Sequence, residues 1–196
     1  MSSYILRIPH TPISDPEWLS LLPHLTRTHT TGRPCPDLRA HLNAIFHIAA
    51  TDGPWRILPP EHGKADTVSR YFRRLTHAGF WERLLTALAA APPDHPLRRI
   101  EALICRAARR AMRLRGLRLI ALARRLKLLR ALPGPPALIA NPSLSEIVFS
   151  LPIPMRMPET RRGWLIALRW LRLLRKLITI AAGRRRLSRA VRARWL

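Results

Sequence analysis

The sequence predicts an all-α protein in which a small helical domain is followed by long basic amphipathic helices. Apolar residues recur at spacings of three and four over most of the 196 residues. Prolines and capping residues divide the first half into short helical segments. Charge separates the two halves, because residues 1–96 contain 10 Lys+Arg and 8 Asp+Glu, whereas residues 97–196 contain 25 and 3.

The net charge of +24 limits the classes of function. A protein this basic is expected to bind nucleic acid, an anionic membrane surface or an acidic protein. It is not the expected composition of an enzyme that acts on a neutral small molecule, so no small-molecule substrate is predicted. The charge alone does not choose among the three kinds of partner.

The two cysteines, Cys35 and Cys105, lie 70 positions apart without a CxxC motif. We interpret them as free thiols in a reducing compartment. Cys35, His41 and His47 form a loose metal-like series, which we interpret as surface or partly packed side chains. No metal and no cofactor is therefore predicted. Residues 1–12 form an N-terminal extension that is too short for a signal peptide.

The first two helices are predicted from their start signals. Ser14 or Asp15 caps a helix over about 15–22, with Pro16 in the first turn and Glu17 three residues after Ser14. Pro36 and Asp37 open the second helix, which ends at DGP (52–54). Its predicted buried stripe consists of Leu38, Leu42, Ile45, Phe46 and Ala49.

The third helix combines an apolar side with a cationic side. After a turn that packs Trp55, Asp66 is predicted to cap this helix and Gly79 to end it in a left-handed conformation. Val68, Phe72 and Leu75 share the side that faces the core. The residues directed elsewhere are Ser69, Arg70, Arg73, Arg74 and His77.

The fourth helix, FWERLLTALAAA, places Trp81, Leu84, Leu85 and Leu88 on one side. Four short helices with one buried side each outline a trihelical or helix-turn-helix-like domain over residues 13–91.

A series of short motifs in this domain carries a family resemblance. In order they are Trp18, LLP (21–23), GRP (32–34), DLR (37–39), LNAI (42–45), PWRILP (54–59), TVSRYFRR (67–74) and AGFWERLL (78–85). From about Ile13 to Leu88 the chain resembles the N-terminal domain of bacterial insertion-sequence transposases of the DDE class. The resemblance implies a cytoplasmic, nucleoid-associated protein that binds double-stranded DNA at the terminal repeats of the element. It leaves open whether the protein forms a homo-oligomer.

The resemblance also implies a set of DNA-binding residues. The third helix would lie in the major groove, with three arginines reaching phosphates or guanine edges and two hydroxyl residues near its start. Two further arginines, in GRP and PWR, would contact the DNA backbone. The implied residues are Arg33, Arg56, Thr67, Ser69, Arg70, Arg73 and Arg74. The alternative is that these arginines form a solvated surface and that Arg56 covers Trp55.

Catalytic residues of the DDE class are not predicted in this chain. The family needs three carboxylates on a mixed sheet to hold two divalent metals for phosphoryl transfer. After Leu97 the acidic residues are Glu101, Glu146 and Glu159, with no series of strands around them. We therefore predict a truncated, DNA-binding, transposase-like protein that is not an enzyme on its own.

The second half predicts three segments. Residues 97–132 form one long basic amphipathic helix, bent at Gly116. Residues 133–160 form a proline-rich linker in which 145–151 could be a lone strand. Residues 161–196 form a basic amphipathic helix, because arginines interrupt its apolar run too often for a transmembrane span.

Several alternatives for the second half stay open. The basic helix could lie on an anionic bilayer, although a membrane is not the favoured partner, it could pack against a partner, or it could track nucleic-acid phosphates. The chain could be the first-frame part of an active transposase that a second frame completes. GC-rich DNA yields Arg, Ala, Leu and Pro in almost any frame, so an out-of-frame or degraded gene could also produce this composition.

Overall fold

The computed structural model describes residues 8–25, 37–152 and 158–190. These residues form helices and turns without a β-strand among them, so the all-α prediction is confirmed. The chain divides into two compact units, Met1–Leu132 (unit 1) and Pro133–Leu196 (unit 2). Arg33 and Cys35 lie outside the described residues.

Unit 1 contains seven α-helices and four short 3₁₀ turns within its described residues. The helices are α1 (Asp15–Leu21), α2 (Leu38–Thr51), α3 (Ala65–His77), α4 (Phe80–Ala90), α5 (Pro96–Arg99), α6 (Glu101–Arg115) and α7 (Leu117–Arg125). The 3₁₀ turns between α2 and α3 are Trp55–Ile57 and Pro60–His62, and another, Leu129–Ala131, follows α7. A further 3₁₀ turn, Leu22–His24, extends α1.

Helix ends in the first half follow the predicted signals. The Glu17 carboxylate accepts a hydrogen bond of 2.8 Å from the backbone N–H of Ser14, the N-cap of α1. The Asp37 side chain caps α2 by accepting from the N–H of Ala40 at 2.8 Å. After α3, Gly79 adopts a left-handed conformation with φ of 73°. These caps set where α1 and α2 begin and where α3 ends.

The core of unit 1 is built around α6. This helix contacts α2, α3 and α4, which also contact one another in sequence order. The predicted stripes of α2 and α4 are buried, except that Leu38 is half-buried. The largest fully buried side chains include Trp81, Phe46 and Phe80. Four helices thus share one apolar core.

The single long helix predicted for residues 97–132 is wrong. Gly116 has φ of 58° and ψ of −139°, a conformation that favours glycine, and it separates α6 from α7 instead of bending one helix. Leu97 and Ile104 are 1% and 0% exposed, so this segment completes the core of unit 1 and is not an extension of it. Leu114, in the last turn of α6, is exposed.

Several arginines in the second half are hydrogen-bonded inside unit 1. Arg106 is 7% exposed and lies 3.5 Å from the carbonyl oxygen of Ala50. Arg110 donates to the carbonyl oxygen of Gly53 at 2.8 Å and lies over the ring of Trp55, 5.0 Å from its centroid. The carbonyls at a helix C-terminus have no partner within the helix. Guanidinium groups of α6 therefore satisfy the C-terminal end of α2.

Other arginines join pairs of elements in the same way. The Arg115 guanidinium lies 2.7 Å from the Glu82 carboxylate, which links α6 to α4 through a largely buried ion pair. Arg83 donates to the carbonyl oxygen of Ala78, next to the end of α3, at 2.7 Å. These side chains contribute to the net charge but are held within the fold.

Unit 2 contains two α-helices among its described residues, α8 (Pro142–Ser150) and α9 (Arg161–Ala181), which contact each other. The strand predicted for residues 145–151 is wrong. Asn141 caps α8 by accepting a hydrogen bond from the N–H of Leu144 at 3.3 Å, and Pro142 occupies the first turn. No helix in the described part of the chain has the length and apolarity to span a bilayer.

α9 is shorter than the helix predicted over 161–196. Thr160 caps its start by accepting from the N–H of Gly163 at 3.1 Å. Gly183, with φ of 69°, reverses the chain after its end, and the N–H of Arg184 donates to the carbonyl oxygen of Thr179 at 2.9 Å. Residues 191–196 lie outside the described residues.

Three histidines meet beside α2. The ring centroids of His10 and His47 are 5.6 Å apart, and those of His47 and His62 are 4.8 Å apart. Nε2 of His10 is buried without a hydrogen-bond partner among the described residues. Burial lowers the pKa of His10 to about 4, with contributions from His47 and His62, and burial also lowers the pKa of His47 against the opposing effect of Glu61.

This cluster predicts a loss of stability in mild acid. The unfolded chain binds a proton at His10 near pH 6.5, whereas the folded chain does so near pH 4, so stability is full above pH 6.5 and falls toward pH 4. We expect the His10→Phe variant to remove about 1 kcal/mol of this pH dependence between about pH 7.5 and about pH 5, allowing for solvent contact. Urea unfolding between about pH 7.5 and about pH 5 measures it. His77→Gln, on the exposed side of α3, is the matched histidine substitution against which this change is compared.

The position of α6 predicts which fragments fold. A chain that ends at residue 96 lacks α6 and exposes the apolar sides of α2, α3 and α4, so we expect no cooperative thermal transition by circular dichroism. A chain that ends at residue 132 keeps the compact unit and should unfold cooperatively. A transition of the shorter fragment at the midpoint of the longer one would contradict this role of α6.

Candidate nucleic-acid interface

α3 presents a cationic side to solvent. Arg70, Arg73 and Arg74 are exposed, together with Thr67 near the start of the helix and His77 at its end. At 3.6 residues per turn, these five positions fall within an arc of about 120° around the helix axis. Six of the other α3 residues are buried. The helix is therefore divided along its length into a side that packs and a side that can meet a ligand.

The buried side confirms the predicted core face and corrects one predicted site residue. Val68, Phe72 and Leu75 are between 1% and 3% exposed, as the periodicity predicts. Ser69, predicted to point toward DNA, is 7% exposed. Its position beside Val68 and one turn before Phe72 turns it into the protein, so it does not belong to the cationic side.

Aromatic packing holds α3 in place. The Phe72 ring lies between two indoles, with its centroid 5.3 Å from that of Trp55 and 5.6 Å from that of Trp81. The buried Thr76 hydroxyl donates to the carbonyl oxygen of Phe72 at 2.8 Å and accepts from Nε1 of Trp81 at 3.0 Å. These contacts join α3 to the Trp55–Ile57 turn on one side and to α4 on the other.

Asp66 has a different role from the predicted one. Lys64 is the N-cap residue of α3, and Asp66 lies in the first turn of the helix. It forms an ion pair with Arg70 one turn later, and both side chains are 72% exposed. Such an exposed pair stabilises a helix by about 0.3–0.5 kcal/mol. The pair leaves a carboxylate within the cationic side of α3.

Arg74 and Arg56 lie at or near the same surface. Arg74 lies over the ring of Tyr71, 5.9 Å from its centroid. Arg56 is exposed in a turn that contacts α3. The guanidinium observed over Trp55 comes from Arg110, which the sequence pattern did not indicate because α6 follows 45 or more residues later. The predicted position of Arg33 falls outside the described residues.

The connections around α3 differ from a standard helix-turn-helix. Residues 52–64 join α2 to α3, whereas the motif uses a turn of three or four residues. The tight connection is Ala78-Gly79, between α3 and α4. In α4 the buried residues are Phe80, Trp81, Leu84, Leu85 and Leu88. The cationic side therefore belongs to the first helix of the tightly joined pair and not to the second.

No group of three His, Cys, Asp or Glu side chains in residues 8–25, 37–152 and 158–190 could hold a metal ion. His41, from the metal-like series, packs against Tyr71 with the ring centroids 5.2 Å apart. Cys105 is buried, and burial raises the pKa of its thiol to about 12. This thiol is therefore a packed side chain.

Comparison with known families identifies the first segment. Residues 13–85 match the family described as "Putative transposase of IS4/5 family". The match confirms the resemblance to an N-terminal transposase domain and contains the whole of α3, but it ends before α6. No curated protein and no solved structure matches the chain.

We predict that the hydrogen bonds of the Thr76 hydroxyl contribute measurably to the free energy of unfolding. Replacing it in Thr76→Val leaves Nε1 of Trp81 buried without its acceptor, so we expect a loss of about 1–3 kcal/mol in the free energy of unfolding. The control is Thr86→Val, because the Thr86 hydroxyl makes a similar bond of 2.9 Å to the carbonyl oxygen of Glu82 at an exposed site. Equal losses in urea unfolding would show that the Thr76–Trp81 contact is unimportant.

Proposed function

We propose that the chain binds double-stranded DNA at the terminal repeats of an insertion element through the cationic side of α3. The observation that carries the proposal is the exposed arc of three arginines on a helix that lies wholly within the IS4/5 transposase match. Positive side chains on one side of a rigid helix suit the phosphates and guanine edges of a duplex. The aromatic contacts below α3 supply the rigidity.

The dimensions of α3 are compatible with this role. Its 13 residues extend over about 20 Å, and a major groove about 12 Å wide admits an α-helix. Arg70, Arg73 and Arg74 would reach phosphates or guanines, and the Thr67 hydroxyl would bond a phosphate at the start of the helix. Arg56, on the neighbouring turn, would contact the flanking backbone.

In our proposal, Asp66 lowers the affinity of the cationic side of α3 for DNA. Its carboxylate pairs with Arg70 in the free protein, and DNA phosphates would compete with it for the same guanidinium. A carboxylate at the rim of a phosphate-binding surface lowers affinity through repulsion. In the free chain Arg70 is thus paired with Asp66, and this ion pair must break before Arg70 can bind a DNA phosphate.

We infer that this chain binds DNA without cleaving it. The inference is supported by the distribution of its acidic residues, since Glu101, Glu146 and Glu159 are the ones after Leu97. Glu101 pairs with Arg98 at 3.1 Å and Glu146 lies on α8, so neither is on a strand. Two-metal phosphoryl transfer requires several carboxylates around shared metal ions.

Binding of the full chain to DNA tests the proposal. The two duplexes are an element end and a scrambled sequence of the same composition. We expect the protein to prefer the end, and we expect the double variant Arg70→Gln, Arg73→Gln to lose about tenfold or more of that preference, since one good base contact contributes about 1–3 kcal/mol. Arg113→Gln with Arg118→Gln removes the same charge from exposed sites on α6 and α7 and should keep the preference.

A second pair of variants tests the same surface in the opposite direction. Asp66→Asn should raise the affinity for both duplexes, whereas Asp94→Asn, an exposed change of equal charge after α4, should have a smaller effect. Equal binding of the unmodified chain to both duplexes would contradict recognition of the element end. Equal preference in the Arg70 and Arg73 variant and its control would contradict the role of α3.

A further inference from the structure

Unit 2 contains a cleft that is lined mainly by cations. Its volume is about 380 Å³. Two of the lining residues are uncharged, Thr179 and Ile180, and no carboxylate is among them. The cationic lining residues are Arg172, Arg175, Lys176, Arg184, Arg185 and Arg186. Six positive side chains around one concavity repel one another unless an anion lies between them.

The cleft is made by a chain reversal. On α9, Arg172, Arg175, Lys176 and Thr179 follow at spacings of three and four and share one side of the helix. Gly183 then turns the chain so that the next three arginines lie back against that side. The hydrogen bonds of this turn run from the N–H groups of Gly183 and Arg184 to carbonyls in the last turn of α9. The second wall of the cleft is therefore positioned by backbone geometry.

Packing within unit 2 fixes the turn. A Cβ atom at Gly183 would lie 2.6 Å from the carbonyl carbon of Ile139 and 2.7 Å from the backbone nitrogen of Ala140. Next to this contact, the N–H of Asn141 donates to the carbonyl oxygen of Ala181 at 2.8 Å. The backbone of residues 139–140 therefore leaves no space for a side chain at Gly183. The arginine run is thus held in a defined place beside α9.

We propose that this cleft binds the phosphate backbone of duplex DNA without reading its sequence. Arginine presents a planar fork of donors that suits phosphate oxygens. The proposal rests on the proposed function only in taking DNA as the partner, and it does not depend on α3. Unit 2 would add affinity for any duplex, whereas unit 1 would supply the preference for element ends.

The cationic row extends beyond the cleft. A second concavity of about 350 Å³ is lined by Arg169, Arg172, Leu173 and Lys176. At about 1.5 Å per residue, the row from Arg169 to Lys176 covers about 10 Å. Duplex DNA presents one charge per about 3.4 Å of axis on each strand, so this length faces about three phosphates of one strand.

The arrangement of apolar residues favours DNA over a lipid surface. The exposed large apolar side chains of α9 are Trp164, Leu165, Ile166, Leu168, Leu171, Leu173 and Ile178. They are spread around most of the helix, and Leu165 and Leu168 lie among the cations, so α9 has no single apolar face. A helix that lies on a bilayer buries one apolar face between flanking cations. Among the residues that line the cleft, Ile180 is the one with a large apolar side chain.

A charge-conserving variant gives the sharpest test. The full chain is titrated with a duplex of random sequence over a series of salt concentrations. Gly183→Ala keeps every charge but displaces the arginine run, and we expect it to weaken binding about tenfold and to reduce the salt dependence. The control is Gly134→Ala in the same unit, where a Cβ atom would meet the Ile139 side chain at 3.5 Å and fits.

A charge-removing variant makes the test independent of the turn. Replacing Arg184, Arg185 and Arg186 by glutamine should make the negative slope of log K against log salt shallower by about 3, at about 0.9 per phosphate contact. Its control removes three exposed charges from unit 1, in Arg113→Gln, Arg118→Gln and Arg125→Gln, and should change the slope less. The preference for element ends should stay unchanged in the cleft variants, which separates this site from α3.

Two results would overturn the proposal. In one, both cleft variants bind the random duplex as their controls do, so that the affinity comes from charge spread over the chain. In the other, the cleft variants keep DNA binding but lose cosedimentation with phosphatidylglycerol vesicles, so that the cleft binds a lipid headgroup. Vesicles of phosphatidylcholine are the neutral control for that measurement.

Discussion

The fold of unit 1 depends on the contact between α6 and the C-terminal end of α2. Arg106 donates to the carbonyl of Ala50 in the last turn of α2, which the helix cannot satisfy itself, and Arg110 donates to the carbonyl of Gly53 just beyond it and covers Trp55. Trp55 in turn packs on Phe72, the central residue of the buried side of α3. The orientation of the cationic side of α3 is therefore set by a chain of contacts that begins on a helix far along the sequence.

Local signals were enough to predict the first half of the fold. Ser14, Asp37 and Gly79 mark helix ends by chemistry that acts over three or four residues, and the structure places them as predicted. The buried stripes of α2 and α4 follow from helical periodicity in the same way. The exposure of Arg70, Arg73 and Arg74 was also predicted, because helical spacing separates these positions from the apolar residues of α3.

The predictions that failed depend on contacts between distant residues or on competing local signals. Periodicity does not distinguish a solvated arginine from Arg106, whose partner lies 56 positions earlier. Ser69 borders the apolar stripe of α3, and the sequence pattern does not show how many positions beside that stripe are buried. At 145–151 the β-branched and aromatic residues suggested a strand, but the Asn141-Pro142 start signal outweighed them.

The end of the family match before α6 has a consequence for how such domains are exchanged in evolution. The matched segment, residues 13–85, contains the helix that we propose contacts DNA but not the helix that supports it. A recombination event that joined this segment to a new neighbour would have to provide another helix with donors for the end of α2. Sequence that follows the match is thus constrained by shape and hydrogen bonding although the family match does not extend to it.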